Sequence, residues 1–372
     1  MCPAISHQRR KIVAGAGFGS ALALAGCAIA PLDVEDKVDR QPYWPRPPDR
    51  PRFIYEHTLR TPADIMADVK ELRLLRDLTG DQSANAPAFE KPLAVAAQRG
   101  RIYIADSVRR RVAVFDVPRR RVFAFGLRDP ALHKPVGLAI DAGFSVYVAD
   151  SGRQRIMVYD SLGLLMHQIG SSKVLERPVG VAVNAQGTRV YAIDRASNDS
   201  DQHRVVMFDG AGNFLRYIGQ RGSRRGEFNV PVAGVCAPDG SLYVLDAGNF
   251  RVQIITPEGD FRHSFGGVGI AFGDFARPRG IAVDTHGNIY VSDASFNNVQ
   301  IFDPQGQLLL AVGGTGRSDA PGRYRLLSGV AVDETGRIYV ADQVFNKVEV
   351  LRPLRSAEAE ALLKGEKLPG MS

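Results

Sequence analysis

The amino-acid sequence predicts an all-β fold, a six-bladed β-propeller whose blades are four-stranded antiparallel sheets, with one short inserted helix. Three observations support this fold class. A Pro-x-Gly segment before an apolar strand occurs six times, in three clear and three weaker copies. A Tyr-x-x-Asp segment follows each copy, and 38 glycines and 22 prolines supply many turns. Successive copies start 43, 43, 53, 47 and 49 residues apart, the length of a four-stranded blade.

The first five copies run through the same four strands, and the sixth runs through the first three. The first strand begins at the Pro-x-Gly segment, clearly at Pro135, Pro178 and Pro278 and more weakly at Pro92, Pro231 and Leu327. The second strand ends in the aspartate of Tyr-x-x-Asp, namely Asp106, Asp150, Asp194, Asp246, Asp293 and Asp342. An Arg, Lys or Asn opens the third strand, and a glycine ends the fourth. Alternating apolar residues between turn residues at this spacing indicate antiparallel strands.

The repeats resemble the NHL repeat. The segment from Pro278 to Asp284 matches its Pro-x-Gly-Ile-Ala-Val-Asp pattern, and the linkers that end at Phe228 and Phe275 resemble its glycine-spaced connection. The resemblance covers residues 89–352 and implies a closed propeller. Within this class the chain most resembles bacterial six-bladed propeller lipoproteins.

The sixth copy lacks a fourth strand, because the chain turns at Pro353 after its third. A strand left over at residues 52–59 is therefore expected to complete blade six, so that an N-terminal strand closes the ring and removes the exposed sheet edges. Residues 62–78 have apolar side chains at helical spacing and predict the inserted helix. The predicted propeller spans residues 52–354, and residues 355–372 form a C-terminal tail.

The N-terminus predicts export and lipid anchoring. Arg9, Arg10 and Lys11 precede an apolar run that ends in Leu-Ala-Gly-Cys27, which resembles the bacterial lipobox. We therefore expect residues 1–26 to be a signal peptide, Cys27 to carry lipid, and residues 27–51 to be a Pro-rich tether. An ordinary secretory peptide is the alternative, and Sec and twin-arginine export both remain open. The expected location is the cell envelope, on the outer membrane facing the periplasm.

Composition limits the function classes further. Removing residues 1–26 leaves 44 basic and 40 acidic residues, so the net charge falls from +7 to +4. Part of the basic character of the chain therefore belongs to the predicted signal peptide. Export removes nucleic acid as a partner, although eukaryotic NHL propellers bind RNA. The expected partners are the membrane, through the lipid, and an envelope protein, with the chain itself a monomer.

The sequence favours a binding scaffold over an enzyme. We call the channel end at which the Pro-x-Gly segments start the top. The residues between Pro and Gly there are mostly apolar: Leu93, Val136, Val179, Val232, Arg279 and Ser328. None is a histidine, whereas the resemblance to peptidyl-hydroxyglycine lyases would imply zinc-binding histidines near this mouth. We expect no metal and no cofactor; the alternative is a propeller hydrolase or lyase with a metal site in the channel.

Basic residues are the candidate binding residues. Two adjacent hairpins at the bottom of blade one carry Arg99, Arg101, Arg119, Arg120 and Arg121, and Arg279 lies at the top mouth. Nothing in the two hairpin loops is expected to neutralise the five charges. They are interpreted either as a solvated edge or as a docking face for an acidic surface, with contacts that weaken in salt.

Three other features have structural interpretations. Each of several Tyr-x-x-Asp aspartates precedes an arginine by five residues, which predicts a repeated ion pair that fixes the loop. Cys236 is expected to be a small core residue. The long loop after Asp194 could offer Ca²⁺ the oxygens of Asp199 and Asp201, but a solvated insertion is preferred.

Overall fold

The computed structural model describes residues 41–66 and 83–368. The predicted signal peptide, Cys27 and most of the predicted tether lie outside the described residues, as do residues 67–78 of the predicted helix. Within the described residues, no helix is long and apolar enough to cross a bilayer.

Six antiparallel sheets surround a central channel, and this confirms the predicted fold class. The chain begins with β1 (Tyr43–Trp44) and β2 (Phe53–Leu59). Blade one consists of β3 (Pro92–Gln98), β4 (Arg101–Asp106), β5 (Arg111–Asp116) and β6 (Arg121–Phe125). Blade two consists of β7 (Pro135–Ile140), β8 (Val146–Asp150), β9 (Arg155–Tyr159) and β10 (Leu165–Ile169). Blade three consists of β11 (Pro178–Val183), β12 (Arg189–Asp194), β13 (Arg204–Asp209) and β14 (Phe214–Ile218).

The second half of the ring repeats this order. Blade four consists of β15 (Pro231–Cys236), β16 (Leu242–Asp246), β17 (Arg251–Ile255) and β18 (Phe261–Phe265). Blade five consists of β19 (Pro278–Val283), β20 (Ile289–Asp293), β21 (Asn298–Phe302) and β22 (Leu308–Val312). The short parallel pair β23 (Gly314–Thr315) and β24 (Arg323–Tyr324) leads to blade six, which contains β25 (Leu327–Val332), β26 (Ile338–Asp342) and β27 (Lys347–Pro353).

The N-terminal strand closes the ring as the sequence predicted. Strand β2 pairs antiparallel with β27, so that Phe53 lies opposite Pro353 and Leu59 opposite Val348. Strand β1, which falls within the predicted tether, adds a fifth strand to this blade. The predicted helix at residues 62–78 begins as a 3₁₀ turn, Pro62–Asp64, and the described residues contain one α-helix, α1 (Ser356–Leu363), within the predicted tail.

The aspartate of each Tyr-x-x-Asp segment is fully buried because it binds the linker that enters its own blade. Asp150, for example, accepts hydrogen bonds from the backbone N–H groups of His133 (2.7 Å) and Lys134 (2.9 Å). The predicted repeated ion pair is wrong for most blades. It forms between Arg251 and Asp246 at 2.9 Å and, more loosely, in blade three at 3.9 Å. The buried carboxylates are thus compensated mainly by backbone donors.

Glycine in the Pro-x-Gly segment lets the inner strands approach one another closely. A Cβ atom on Gly137 would lie 2.8 Å from the Cα of Gly180, and one on Gly329 would lie 2.8 Å from the Cα of Ala94. Backbone atoms at this distance leave no space for a side chain. The inner strands are therefore packed closely around the channel at these glycines, just below the top mouth.

Candidate functional site

Two cavities in the channel share the inner-strand residues at which they meet, Val95, Leu138, Val181, Gly234, Ile281 and Val330. The upper one, about 70 Å³ in volume, opens at the top mouth. The lower one, about 380 Å³, is bounded by all six inner strands. The two cavities differ in the residues that line them, and therefore in the kind of ligand that each can bind.

The lower cavity has apolar walls and a polar rim. Asp284 and Asp333 lie at the rim, and each uses its oxygens within its own turn. Asp284 accepts the phenol of Tyr290 at 3.0 Å, and Asp333 accepts that of Tyr339 at 2.8 Å. These two aspartates therefore fix the turns in which they lie. Cys236 also lines this cavity, and burial raises the pKa of its thiol.

The top mouth has an apolar floor and one charged wall. Leu93, Val136, Val179 and Val232 line the upper cavity together with Arg279, as the sequence predicted for these positions. Ser328, the sixth position, is buried instead, and its hydroxyl donates to the carbonyl of Pro92 at 2.7 Å.

Arg279 belongs to a cluster of four arginines that the sequence did not single out. The others are Arg177 and Arg277, at the entrances of blades three and five, and Arg195, which directly follows β12. The Arg195 amide donates to the carbonyl of Arg177 at 3.2 Å. Burial lowers the pKa of Arg279, and the charges of Arg277 and Arg195 lower it further. Burial and then Arg177 likewise lower the pKa of Arg195. Arg279 therefore lies within electrostatic range of Arg277 and Arg195, with Asp293 opposing their effect, and Arg195 lies within range of Arg177.

Carboxylates near this cluster are already occupied. Asp293 accepts the backbone amides of Ala276 and Arg277, at 2.8 and 2.9 Å. Glu176 accepts the amide of Ser197 and the hydroxyl of Ser200, each at 2.8 Å. Within the described part of the chain, none of the four arginines forms an ion pair, and the buried Nε of Arg195 has no hydrogen-bond partner. One sequence signal could have identified Arg195: it directly follows Asp194, where the other blades have Ser, Ala or Gln.

The bottom hairpins of blade one differ from expectation. Asp116 is nearly fully buried and pairs with Arg101 at 2.9 Å and with Arg119 at 3.2 Å. The expectation that nothing neutralises the five arginines is therefore wrong for these two. Arg99 is exposed, and its backbone amide donates to Glu334 at 3.0 Å. Arg120 and Arg121 remain exposed to solvent without an ion pair in the described residues.

The long loop after Asp194 is held by protein groups. His203 is buried, with one ring nitrogen 3.1 Å from the Ser197 carbonyl and the other accepting the Val230 amide at 3.1 Å. The loop after Asp194, for which a solvated insertion was preferred to a calcium site, is thus packed against the protein at its base. Among the residues described, no group of three His, Cys, Asp or Glu side chains could hold a metal ion, here or in the channel.

The six sheets define the class of protein, a six-bladed β-propeller. Residues 275–302, from the end of the linker through the third strand of blade five, match the NHL repeat. The chain is therefore a propeller that carries an NHL repeat, in agreement with the resemblance noted in its sequence. No curated protein sequence matches it significantly.

Three solved structures share this fold. A structural-genomics protein of unknown function from Bacteroides thetaiotaomicron is 18% identical, with 82% of this chain and 76% of that one covered and a TM-score of 0.60. A gluconolactonase from Xanthomonas campestris is 18% identical, with 81% and 98% covered and a TM-score of 0.55. A streptogramin B lyase is 12% identical, with 72% and 95% covered and a TM-score of 0.53. At these identities the likeness shows the fold alone.

Proposed function

We propose that this protein is an exported, lipid-anchored binding scaffold whose top mouth holds a carboxylate or phosphate group of another envelope component. The observation that carries the proposal is the cluster of Arg177, Arg195, Arg277 and Arg279, which has no ion pair within the described residues. Two of these side chains are half-buried.

The chemistry of this cluster suits an anionic group. Guanidinium groups bind carboxylates and phosphates through paired N–H donors, and partial burial strengthens such contacts. The buried Nε of Arg195 is a donor without a partner, which is costly unless a ligand or water satisfies it. Beside Arg279 the floor of Val136, Val179 and Val232 can contact an apolar part of the same ligand. The mouth therefore suits an amphiphilic or polymeric anion.

The top mouth fits this role better than the bottom hairpins of blade one. At the bottom, Asp116 already compensates Arg101 and Arg119, and Arg120 and Arg121 are exposed to solvent. At the top, the carboxylates near the cluster already accept hydrogen bonds from backbone amides and hydroxyls. The channel hydrolase or lyase stays an alternative prediction, because the relatives with such activities share only the fold.

Lipid attachment at Cys27 is the other half of the proposal. It rests on the lipobox-like residues Leu24 to Cys27. Growth with a fatty-acid analogue should label the wild-type chain and place it in the membrane fraction, whereas Cys27→Ala should be unlabelled. A wild-type chain that is unlabelled and wholly soluble would contradict the tether, and the ordinary secretory peptide would then stand.

The binding site is tested by co-purification from envelopes with Arg195→Gln/Arg279→Gln. We expect the double variant to lose about tenfold or more of the bound component, because hydrogen bonds to charged groups contribute about 1.5–3 kcal/mol each. The wild-type complex should weaken in high salt, and the melting temperature should change little, since neither arginine forms an ion pair with a described residue. Arg120→Gln/Arg121→Gln removes the same charge from the bottom and should have little effect. Equal co-purification by both double variants would contradict a site at the top mouth.

A further inference from the structure

The linker between blades four and five carries three large apolar side chains into solvent. It joins β18 to β19, and its residues Val268, Ile270 and Phe272 are 73%, 92% and 76% exposed. Gly269 and Ala271 separate them, and Gly267 and Gly273 flank them. Single exposed apolar residues are ordinary on protein surfaces, but three on one protruding loop indicate a contact with something else.

The linker between blades three and four has the same backbone arrangement with polar residues. Gly219 to Phe228 corresponds to Gly266 to Phe275, and each linker closes on its own phenylalanine. The amide of Ala271 donates to Asp274 at 3.2 Å, as that of Arg224 donates to Glu227 at 3.0 Å.

A second shared hydrogen bond fixes the correspondence. Gly273 donates to Gln300 at 2.8 Å, as Gly226 donates to Gln253 at 3.0 Å. In this register Val268, Ile270 and Phe272 stand where the polar linker has Arg221, Ser223 and Arg225. The linker geometry therefore does not require apolar residues, and their presence needs a separate explanation.

We propose that residues 268–272 insert into the interfacial region of an anionic lipid bilayer. The inference rests on the proposed function and deepens it, because it names a lipid headgroup as the source of the anion. Both linkers connect an outer strand to the next inner strand, so they lie at the top of the propeller together with the arginine cluster.

Three features favour lipid over a protein partner. Three side chains on one protruding loop offer far less area than the roughly 1,000 Å² or more that a stable protein interface buries. A small apolar loop can add to a lipid anchor, since stable membrane attachment usually takes two signals. The neighbouring linker contributes Arg221, Arg224 and Arg225, and basic residues beside an apolar insertion favour anionic headgroups.

The test places a tryptophan at the tip of each linker. The full chain carries Cys27→Ala, which cannot be acylated at this position, and either Phe272→Trp or Arg225→Trp. The probe is a vesicle of phosphatidylcholine and phosphatidylglycerol with brominated acyl chains. Native Trp44, the only tryptophan of the sequence, lies close to Gly322 and provides the background. We expect bromine to quench the added tryptophan strongly in the Phe272→Trp chain and weakly in the Arg225→Trp chain. If the added tryptophan of the vesicle-bound Phe272→Trp chain emits above the Trp44 background and bromine does not quench it, the proposed insertion is overturned.

Grafting the polar linker provides the second measurement. Val268→Arg, Ile270→Ser and Phe272→Arg together copy the residues of the neighbouring linker, so the melting temperature should be unchanged. Partition of the Cys27→Ala chain into the same vesicles should fall by about tenfold or more, since three large apolar side chains no longer leave water for the bilayer. If the graft leaves partition unchanged while Arg195→Gln/Arg279→Gln still loses its envelope component, the inference fails and the proposed function stands. Loss of a protein, with partition into vesicles unchanged, would identify a protein partner and would also overturn insertion.

Discussion

Deletion of strand β2, residues 53–59, is expected to abolish cooperative unfolding of the whole propeller. The strand buries Ile54 and Leu59 completely and covers the edge of β27. Truncating one large core side chain costs about 2–5 kcal/mol, and a folded domain has only about 5–15 kcal/mol in total. Loss of two such side chains and a row of backbone hydrogen bonds removes most of that stability. Thermal unfolding followed by circular dichroism measures the effect.

A matched pair of point variants makes the same test without a deletion. Leu59→Ala should lower the free energy of unfolding by about 2–5 kcal/mol. Leu164→Ala removes the same atoms from a side chain that is 70% exposed, and its effect should stay within about 0.5 kcal/mol. If the two variants have the same melting temperature, β2 does not close the ring.

Lys347→Asn is expected to destabilise the protein by about 3–5 kcal/mol, because it leaves a buried charge uncompensated. Lys347 is fully buried, and its Nζ pairs with Glu349 and also contacts Asp319 at 3.1 Å. Glu349 in turn accepts the amide of Gly322 at 2.9 Å. The pair thus anchors the linker that enters blade six.

The chain itself offers the control for this variant. Blade five has Asn298 and Gln300 at the corresponding positions, and Gln300 accepts the equivalent linker amide. The double variant Lys347→Asn/Glu349→Gln copies that neutral pair and should recover most of the lost stability. A double variant no more stable than Lys347→Asn would show that the loss does not come from the unpaired carboxylate.

The single variant should also become relatively more stable in acid. Burial raises the pKa of Glu349, and Lys347 opposes that rise, so its removal raises the pKa further. A carboxyl whose pKa is higher in the folded than in the unfolded chain stabilises the fold below the unfolded pKa. That contribution is lost as pH rises through the folded pKa. Acidification should therefore narrow the difference in melting temperature between the single and double variants, and a constant difference would contradict this cause.

The sequence predicts the ring well because each blade repeats the same short motifs at the same places in its strands and loops. Pro135, Pro178 and Pro278 mark inner strands, and the Tyr-x-x-Asp aspartates mark the loops that they hold. The closing strand could be inferred because the sixth copy lacks a fourth strand. Strand β1 could not, since Tyr43 and Trp44 lie among prolines that predict a tether, and only their pairing with Ile54 and Phe53 makes them a strand.

Whether a charge is neutralised and whether a side chain is exposed depend on distances in the folded chain, and the spacing of residues in the sequence does not give these distances. Arg101 and Asp116 are fifteen positions apart, on strands that pair with each other, and their ion pair was not predicted. The cluster around Arg279 combines residues from blades three and five. Val268, Ile270 and Phe272 alternate with small residues as a buried strand would, and only the folded chain shows that they are exposed.

The central claim, an anion-binding top mouth, is tested most directly by photocross-linking in intact cells. Val179 is half-buried in the upper cavity, and Val235 is half-buried in the lower one. The account predicts that a benzoylphenylalanine replacing Val179 forms an adduct with an envelope component, that Arg195→Gln/Arg279→Gln abolishes this adduct, and that the same replacement at Val235 forms none. An adduct at Val179 that survives loss of both arginines, or one that forms only at Val235, would contradict it.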